Sequence, residues 1–339
     1  MNEKELNRIA CAMVEPGRGI LAADESTGTI KKRFDSIDTE STEESRRSYR
    51  EMLFTTPEME RWISGVIMYD ETLFQSTKDG TPFPKLLADK NVIPGIKVDT
   101  GAKDLAGAPG EKVTEGLDGL RERLVKYHEA GARFAKWRAV ITIGDGIPSD
   151  YCIQANAHAL ARYAALCQEN GIVPIVEPEV LMDADNTLEV CEDVTTRTLN
   201  AVFEQLALQR VLLEGMVLKP NMVISGKGCP QQADVETVAA ATLRTLKRCV
   251  PAAVPGIAFL SGGQSDEVAT AHLNAMNAQG GGPWNLTFSY GRALQAAALQ
   301  AWGGKHENYA AGQRAFAHRA KMNGLASTAE YSDAQEQAA

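Results

Sequence analysis

Short runs of almost unbroken apolar character alternate along this chain with longer segments whose apolar residues recur every three to four positions. The runs lie at 19–24 (GILAAD), 65–70 (GVIMYD), 93–99 (IPGIKVD), 133–140 (RFAKWRAV), 173–180 (VPIVEPEV), 214–220 (EGMVLKP), 256–262 (GIAFLSG) and 284–291 (WNLTFSYG). Runs this short and this apolar on both alternating faces predict parallel strands covered by helices on each side. Helical periods are predicted over 117–130, 151–170, 187–209, 234–249, 265–279, after Gly291, and over about 306–322. Ser41-Thr42-Glu43-Glu44 reads as a capping box ahead of RRSYREML. Residues 323–339 are polar and show no core-facing period, which predicts a mobile C-terminal tail after a single domain spanning 1–322.

Eight strands alternating with helices predict an α/β fold, a (β/α)8 TIM barrel. The rival, a doubly wound open sheet, would carry a GxGxxG turn after its first strand, and none is present. Barrel enzymes place their chemistry at the C-terminal strand ends, so the polar residues there carry the functional reading. Asp24 closes the first run, and Lys97 and Asp99 the third. Lys136 and Arg138 lie two apart in the fourth, and Glu177 and Glu179 two apart in the fifth, so each pair shares a face. Lys219 closes the sixth. Charges inside apolar strands are costly unless paired or used. A lysine held in apolar surroundings beside other cations loses its proton more readily and becomes a nucleophilic amine. Lys219, flanked by Val217 and Leu218, is the candidate, with Lys136 and Lys97 as the like charges. Glu177, Glu179 and Asp24 are then placed to move protons.

The last two strand ends read as an anion site. Ser261, Gly262 and Gly263 belong to SGGQS, whose glycines let backbone N–H groups approach a phosphate at a helix start. Ser289, Gly291 and Arg292 follow the eighth run, and the loops after strands seven and eight are the usual phosphate site of this fold. Lys31-Lys32-Arg33, beside Ser26 and Thr29 after the first run, forms a candidate second site. Two anion sites around one nucleophilic lysine point to a doubly phosphorylated carbonyl substrate.

Charge and composition narrow the partners. The 339 residues carry 35 Lys+Arg against 44 Asp+Glu, a formal net charge of −9, which argues against nucleic acid or an anionic membrane as the binding partner. No apolar run reaches membrane-helix length, and 1–13 (MNEKELNRIACAM) has no h-region, so no signal peptide is expected. The six cysteines show no CxxC pairing and predict reduced thiols in a cytoplasmic protein. The five histidines are scattered in helix-like or tail segments, none at a strand end, so no metal site and no cofactor is expected.

The motifs GILAADESTGTIKKR, GIKVDTG, FAKWR, GIVPIVEPEV, LKPNMV, FLSGGQS and FSYGRALQ together resemble the class I, Schiff-base-forming fructose-bisphosphate aldolases, from about residue 5 to about 325. The resemblance implies reversible, metal-independent cleavage of fructose 1,6-bisphosphate to dihydroxyacetone phosphate and glyceraldehyde 3-phosphate, and a homotetramer. It implies that Lys219 forms the imine and that Glu177, with Glu179 beside it, serves carbinolamine dehydration. Asp24 is similar to the carboxylate that takes the C4 hydroxyl proton, and Lys136 and Arg138 to the groups that polarise and orient substrate. Ser261, Gly262, Ser289, Gly291 and Arg292 match the C1-phosphate site, with Gly263 counted among the substrate-binding residues. Ser26, Thr29, Arg33 and Lys97 match the C6-phosphate site. Animal members end in a tyrosine on a flexible tail; here the last residues are Gln-Ala-Ala, and Tyr331 lies upstream. The alternatives are a Schiff-base aldolase or transaldolase for another sugar phosphate, which would not need the second anion site, and a scaffold that has lost the chemistry.

Overall fold

The computed structural model describes residues 2–337. Its strands, in chain order, are β1 (Gly19–Ala23), β2 (Ile63–Met68), β3 (Ile93–Lys97), β4 (Gly101–Asp104), β5 (Lys112–Glu115), β6 (Phe134–Ile141), β7 (Val173–Val180), β8 (Val217–Leu218), β9 (Gly256–Phe259) and β10 (Asn285–Tyr290). Eight of them close a parallel barrel in the order β1-β10-β9-β8-β7-β6-β3-β2. Each of the eight predicted runs supplies one barrel strand, with helices between them, so the fold is the expected (β/α)8 barrel.

The period of two explains how the barrel sorts its residues. Outward side chains of β6 and β7, such as Ala135, Trp137, Ala139 and Val176, join the core between strands and helices. Trp137, for example, stacks on Tyr163 of the helix Asp150–Glu169 at 5.6 Å. Inward side chains Ile20, Ala22, Ile67, Phe134, Val173, Ile175, Val217 and Ala258 form a second core inside the barrel. Along each inward row the character then changes two residues at a time: Ile20, Ala22, Asp24; Phe134, Lys136, Arg138; Ile175, Glu177, Glu179; Val217, Lys219. One end of the lumen is therefore apolar and the other charged.

The apolar end is plugged by the helix Glu3–Met13, whose Leu6, Ile9, Ala10 and Met13 pack into that inner core. These positions fall at i, i+3, i+4 and i+7, and Asn2 caps the helix by accepting from the Glu5 N–H at 3.2 Å. Burying each large side chain there contributes about 1.5–3 kcal/mol. Gly95 is a close-approach position, since a Cβ there would lie 2.2 Å from the Phe134 ring that fills the lumen.

Two local expectations are corrected, and one element was not predicted. The capping box is shifted by one residue: Thr42, not Ser41, caps the helix Glu43–Phe54, in reciprocal hydrogen bonds with Ser45. Residues 101–115 hold an antiparallel hairpin, β4 with β5, that the polar sequence TGAKDLAGAPGEKVTEG conceals. The boundary at 322 also moves. The last long helix runs Tyr309–Ala326, with Met322, Asn323, Gly324 and Ala326 buried. Beyond it Tyr331 is buried, its N–H donating to Asn274 and its hydroxyl to Glu336 at 3.0 Å. Glu336 also accepts from the buried Arg319 at 2.6 Å and pairs with His318 at 2.9 Å. Residues 323–337 thus do carry core-facing side chains. Ala338 and Ala339 of the expected tail lie outside the described residues.

Candidate active site

The charged ends of the inward rows open into a cavity of about 540 Å³. At its floor four nearly buried groups form one chain of ion pairs. Lys219 follows β8 directly; its N–H still donates to Val176 O at 2.8 Å, and Pro220, without an N–H, cannot extend the ladder. The Lys219 Nζ lies 3.2 Å from Glu177 Oε1. Lys136 Nζ lies 3.5 Å from Glu177 Oε2 and 2.6 Å from Asp24 Oδ2. Parallel pairing sets these contacts, since it places Lys136 of β6 opposite Ile175 and Arg138 opposite Glu177 of β7.

The two lysines differ in what surrounds them. Burial alone would lower the affinity of Lys136 for its proton, but Asp24, Glu177 and Asp99 outweigh it and hold the ammonium well above the usual lysine range. Burial alone would raise the Asp24 carboxyl, but Lys136, Lys219 and Lys97 hold it well below the usual carboxylate range. Lys136 is therefore held as a cation and Asp24 as an anion before substrate binds. Lys219, the candidate nucleophile, has among the described residues a single carboxylate, Glu177, as ion-pair partner. Glu177 Oε2 is buried without a hydrogen-bond partner, with the Lys136 ammonium 3.5 Å away.

Around the floor stand paired charges. Glu179 is turned onto Arg138 Nε, which makes it a support for that guanidinium. Lys97 lies 2.7 Å from Asp99 Oδ1, and Asp99 Oδ2 accepts the Arg138 N–H at 3.2 Å.

The candidate anion-binding residues sit at strand ends, in loops and at helix starts around the cavity. Gly262 and Gly263 both have positive φ, +58° and +91°, a conformation that frees the loop backbone to turn toward the cavity. A Cβ on Gly263 would meet Arg292 Nη2 at 2.8 Å and Lys227 Nζ at 2.9 Å, so Gly263, though not itself in the cavity wall, makes room for both cations. Ser289 Oγ is buried without a partner, and Ser289, Ser261, Gly262, Gly291 and Arg292 all line the cavity. On the other side Ser26 Oγ and Thr29 Oγ1 lie 3.1 Å apart. Ser26, Thr29, Lys97 and Arg138 also line an adjoining cavity of about 560 Å³ with Tyr69, Thr100 and Arg123. Arg33, grouped with Ser26 and Thr29 in the sequence, stands between the two ends: its Nη2 is 3.8 Å from where a Cβ on Gly291 would lie. Of the neighbouring lysines, Lys32 reaches the cavity and Lys31 pairs with Asp35 on the surface.

Sequence reasoning missed several supporting residues. Glu25 lines the cavity and binds Arg33 and Arg50. Gln264 braces the SGGQS loop through its Nε2 on Ser261 O at 3.0 Å and its Oε1 on His272 Nδ1 at 2.6 Å. Burial pushes His272 down to about 4, so it stays neutral and donates there. The signal for Glu25 was its place beside Asp24. His272, eight residues beyond Gln264 in the next helix, gave none. Among the described residues no group of three or more His, Cys, Asp or Glu is placed to hold a metal ion, and all six cysteines are free, with Cys11 exposed.

Known proteins resemble this chain over nearly its whole length. The family model described as fructose-bisphosphate aldolase class-I matches residues 5–339. The chain is 60% identical over 332 residues to a probable fructose-bisphosphate aldolase class 1 of Xanthomonas campestris, covering 98% of this chain and 99% of that one. It is 55% identical to the cytosolic fructose-bisphosphate aldolase 4 of Arabidopsis thaliana, covering 98% and 85%. The crystal structure of Plasmodium falciparum fructose-bisphosphate aldolase, solved with TRAP and a small-molecule inhibitor, superposes with a TM-score of 0.96 at 52% identity over 97% of this chain and 96% of that one.

Proposed function

Because this chain belongs to the class I fructose-bisphosphate aldolases, we propose that it cleaves fructose 1,6-bisphosphate through an imine on Lys219, with Glu177 and Asp24 as the proton-transfer groups. The carrying observation is the contrast between the two buried lysines: Lys136 is paired with both Asp24 and Glu177, and Lys219, among the described residues, forms an ion pair with Glu177 alone.

The steps follow from position. The Lys219 amine adds to the C2 carbonyl of the open-chain sugar, and Glu177 takes the proton that nitrogen sheds. Glu177 returns that proton to the C2 oxygen, which becomes a hydroxyl, and a second proton, drawn from solvent through Glu177, lets the hydroxyl leave as water and gives the protonated imine. Asp24 accepts the C4 hydroxyl proton. The C3–C4 bond breaks, its electron pair flows to the imine, and glyceraldehyde 3-phosphate departs as the aldehyde. Protonation of the enamine at C3 and hydrolysis of the imine release dihydroxyacetone phosphate and restore Lys219. Lys136, fixed as a cation beside Asp24, stabilises charge as it develops on oxygen. Arg138 orients the sugar, held by Glu179. Ser261, Gly262, Ser289, Gly291 and Arg292 hold the C1 phosphate, and Ser26, Thr29 and Lys97 the C6 phosphate, with Arg33 between them.

No metal or cofactor takes part in this scheme, since the protonated imine serves as the electron sink that a bound cation would otherwise supply. Among the described residues no helix is long and apolar enough to cross a membrane. The same reading has the chain working in the cytosol, as the name of the Arabidopsis relative says of that protein, and as a homo-oligomer, which the family resemblance implies. Cleavage assayed with excess EDTA should form both triose phosphates at an unchanged rate. Loss of activity on chelation, restored by Zn²⁺, would show the scheme to be wrong.

A further inference from the structure

Glu25 has no part in those proton transfers, yet its side chain is only 4% exposed in the cavity wall. Each of its oxygens is taken by a different arginine, Oε1 by Arg33 Nη1 and Oε2 by Arg50 Nη2 at 2.6 Å. Gln295 completes the cluster. It lies in the helix Arg292–Trp302, one turn beyond Arg292, and donates to Glu25 Oε1 at 2.9 Å and to Ala22 O at 2.7 Å. Its own oxygen accepts from the buried Tyr49 hydroxyl at 3.2 Å. One carboxylate thus ties the exit of β1 to the helix that carries Arg33 and to the helix that Arg292 begins.

The charges do not balance, and the imbalance has a direction. Two guanidinium groups share one carboxylate, leaving one net positive charge. Arg50 is 3% exposed and Arg33 21% exposed, so Arg33 is the member that presents the surplus charge to the cavity. Its Nη1 is occupied by Glu25, and its Nη2 lies toward Gly291.

We propose that Glu25 is a positioning residue for substrate phosphate: it orders the Arg33 guanidinium before substrate arrives, with Nη2 turned to the phosphate end of the cavity. A long side chain already fixed in place loses less freedom on binding than a mobile one. The inference rests on the reading of Arg33 as a phosphate ligand, and a double-mutant cycle separates the two. KM and kcat for fructose 1,6-bisphosphate are measured for Arg33→Ala, Glu25→Gln and the pair, with a thermal midpoint for each. Loss of a charge-assisted contact should raise KM about tenfold in Arg33→Ala. Glu25→Gln should raise KM by a similar factor with kcat changed less than about twofold, and the pair should be no worse than Arg33→Ala alone. Because Glu25→Gln strands the buried Arg50, Glu25→Gln with Arg50→Met, which removes both buried charges, replaces it if the single variant does not fold. An unchanged KM in Arg33→Ala overturns the phosphate reading of Arg33 and the proposal with it. An effect of Arg33→Ala that Glu25→Gln does not share, or effects of the two that multiply in the pair, overturns the positioning role alone.

Discussion

Asp24 and Lys136 show how burial and charge compete at single residues. Removing either from water opposes its charge, but the ion pair at 2.6 Å, reinforced by Glu177 and Lys219, wins in both. The stability consequence has a definite sign. Asp24 is held below its usual value in the folded state, so the stability it contributes is fully present above the unfolded pKa of roughly 4 and is lost only as pH falls toward the folded value. Asp24→Asn leaves Lys136 buried with one carboxylate fewer and should cost about 3–5 kcal/mol. That loss should stay constant between pH 8 and pH 5, as measured by denaturant unfolding of both chains. A gap that already narrows between pH 7 and pH 5 would mean that Asp24 titrates there. The acidic and basic residues of this centre were legible in the sequence because they interrupt apolar strands at intervals of two. Arg33 was legible as a charge but not in its direction, because it is placed by a helix whose docking depends on Glu25, Arg50 and Gln295, from three separate parts of the chain.

The SGGQS loop, proposed to bind phosphate, has a backbone conformation that favours glycine. Gly263 has φ +91°, and the space a methyl would take is filled by Arg292 and Lys227. Gly263→Ala should therefore act twice, adding about 1–3 kcal/mol of backbone strain and pushing the Arg292 guanidinium from its place. If that displacement costs a charge-assisted contact of about 1.5–3 kcal/mol, KM for the bisphosphate should rise by roughly 10- to 100-fold. Steady-state kinetics with a thermal midpoint checks both effects; an unchanged KM would remove the SGGQS loop from the phosphate site. At this scale the sequence showed strands better than anything else, since a buried parallel strand is apolar throughout. The hairpin β4–β5 escaped because its residues are polar and largely exposed. The helix Glu3–Met13 escaped for a different reason. Its apolar stripe is short, and its importance comes from the barrel end it covers, which lies far away in sequence.

The molecule as a whole divides one barrel lumen into an apolar end and a charged end, and every catalytic assignment depends on that division. The plug of Leu6, Ile9, Ala10 and Met13 closes one end, so chemistry is confined to the other, where Asp24, Lys136, Glu177 and Lys219 arrive from four different strands. No two of these four are neighbours in sequence; closure of the barrel alone brings them within hydrogen-bonding reach. The C-terminal segment was the least legible part, because one carboxylate, Glu336, anchors it on Arg319, His318 and Tyr331, and the sequence gives no sign of that anchor. The central claim is that this arrangement singles out one lysine among several. Reduction with borohydride in the presence of dihydroxyacetone phosphate, followed by peptide mass mapping, tests it directly. The adduct should lie on Lys219 and be absent from the Lys219→Ala chain, which should also lose essentially all cleavage. An adduct on Lys136 or Lys97, or cleavage that persists in Lys219→Ala, would contradict it.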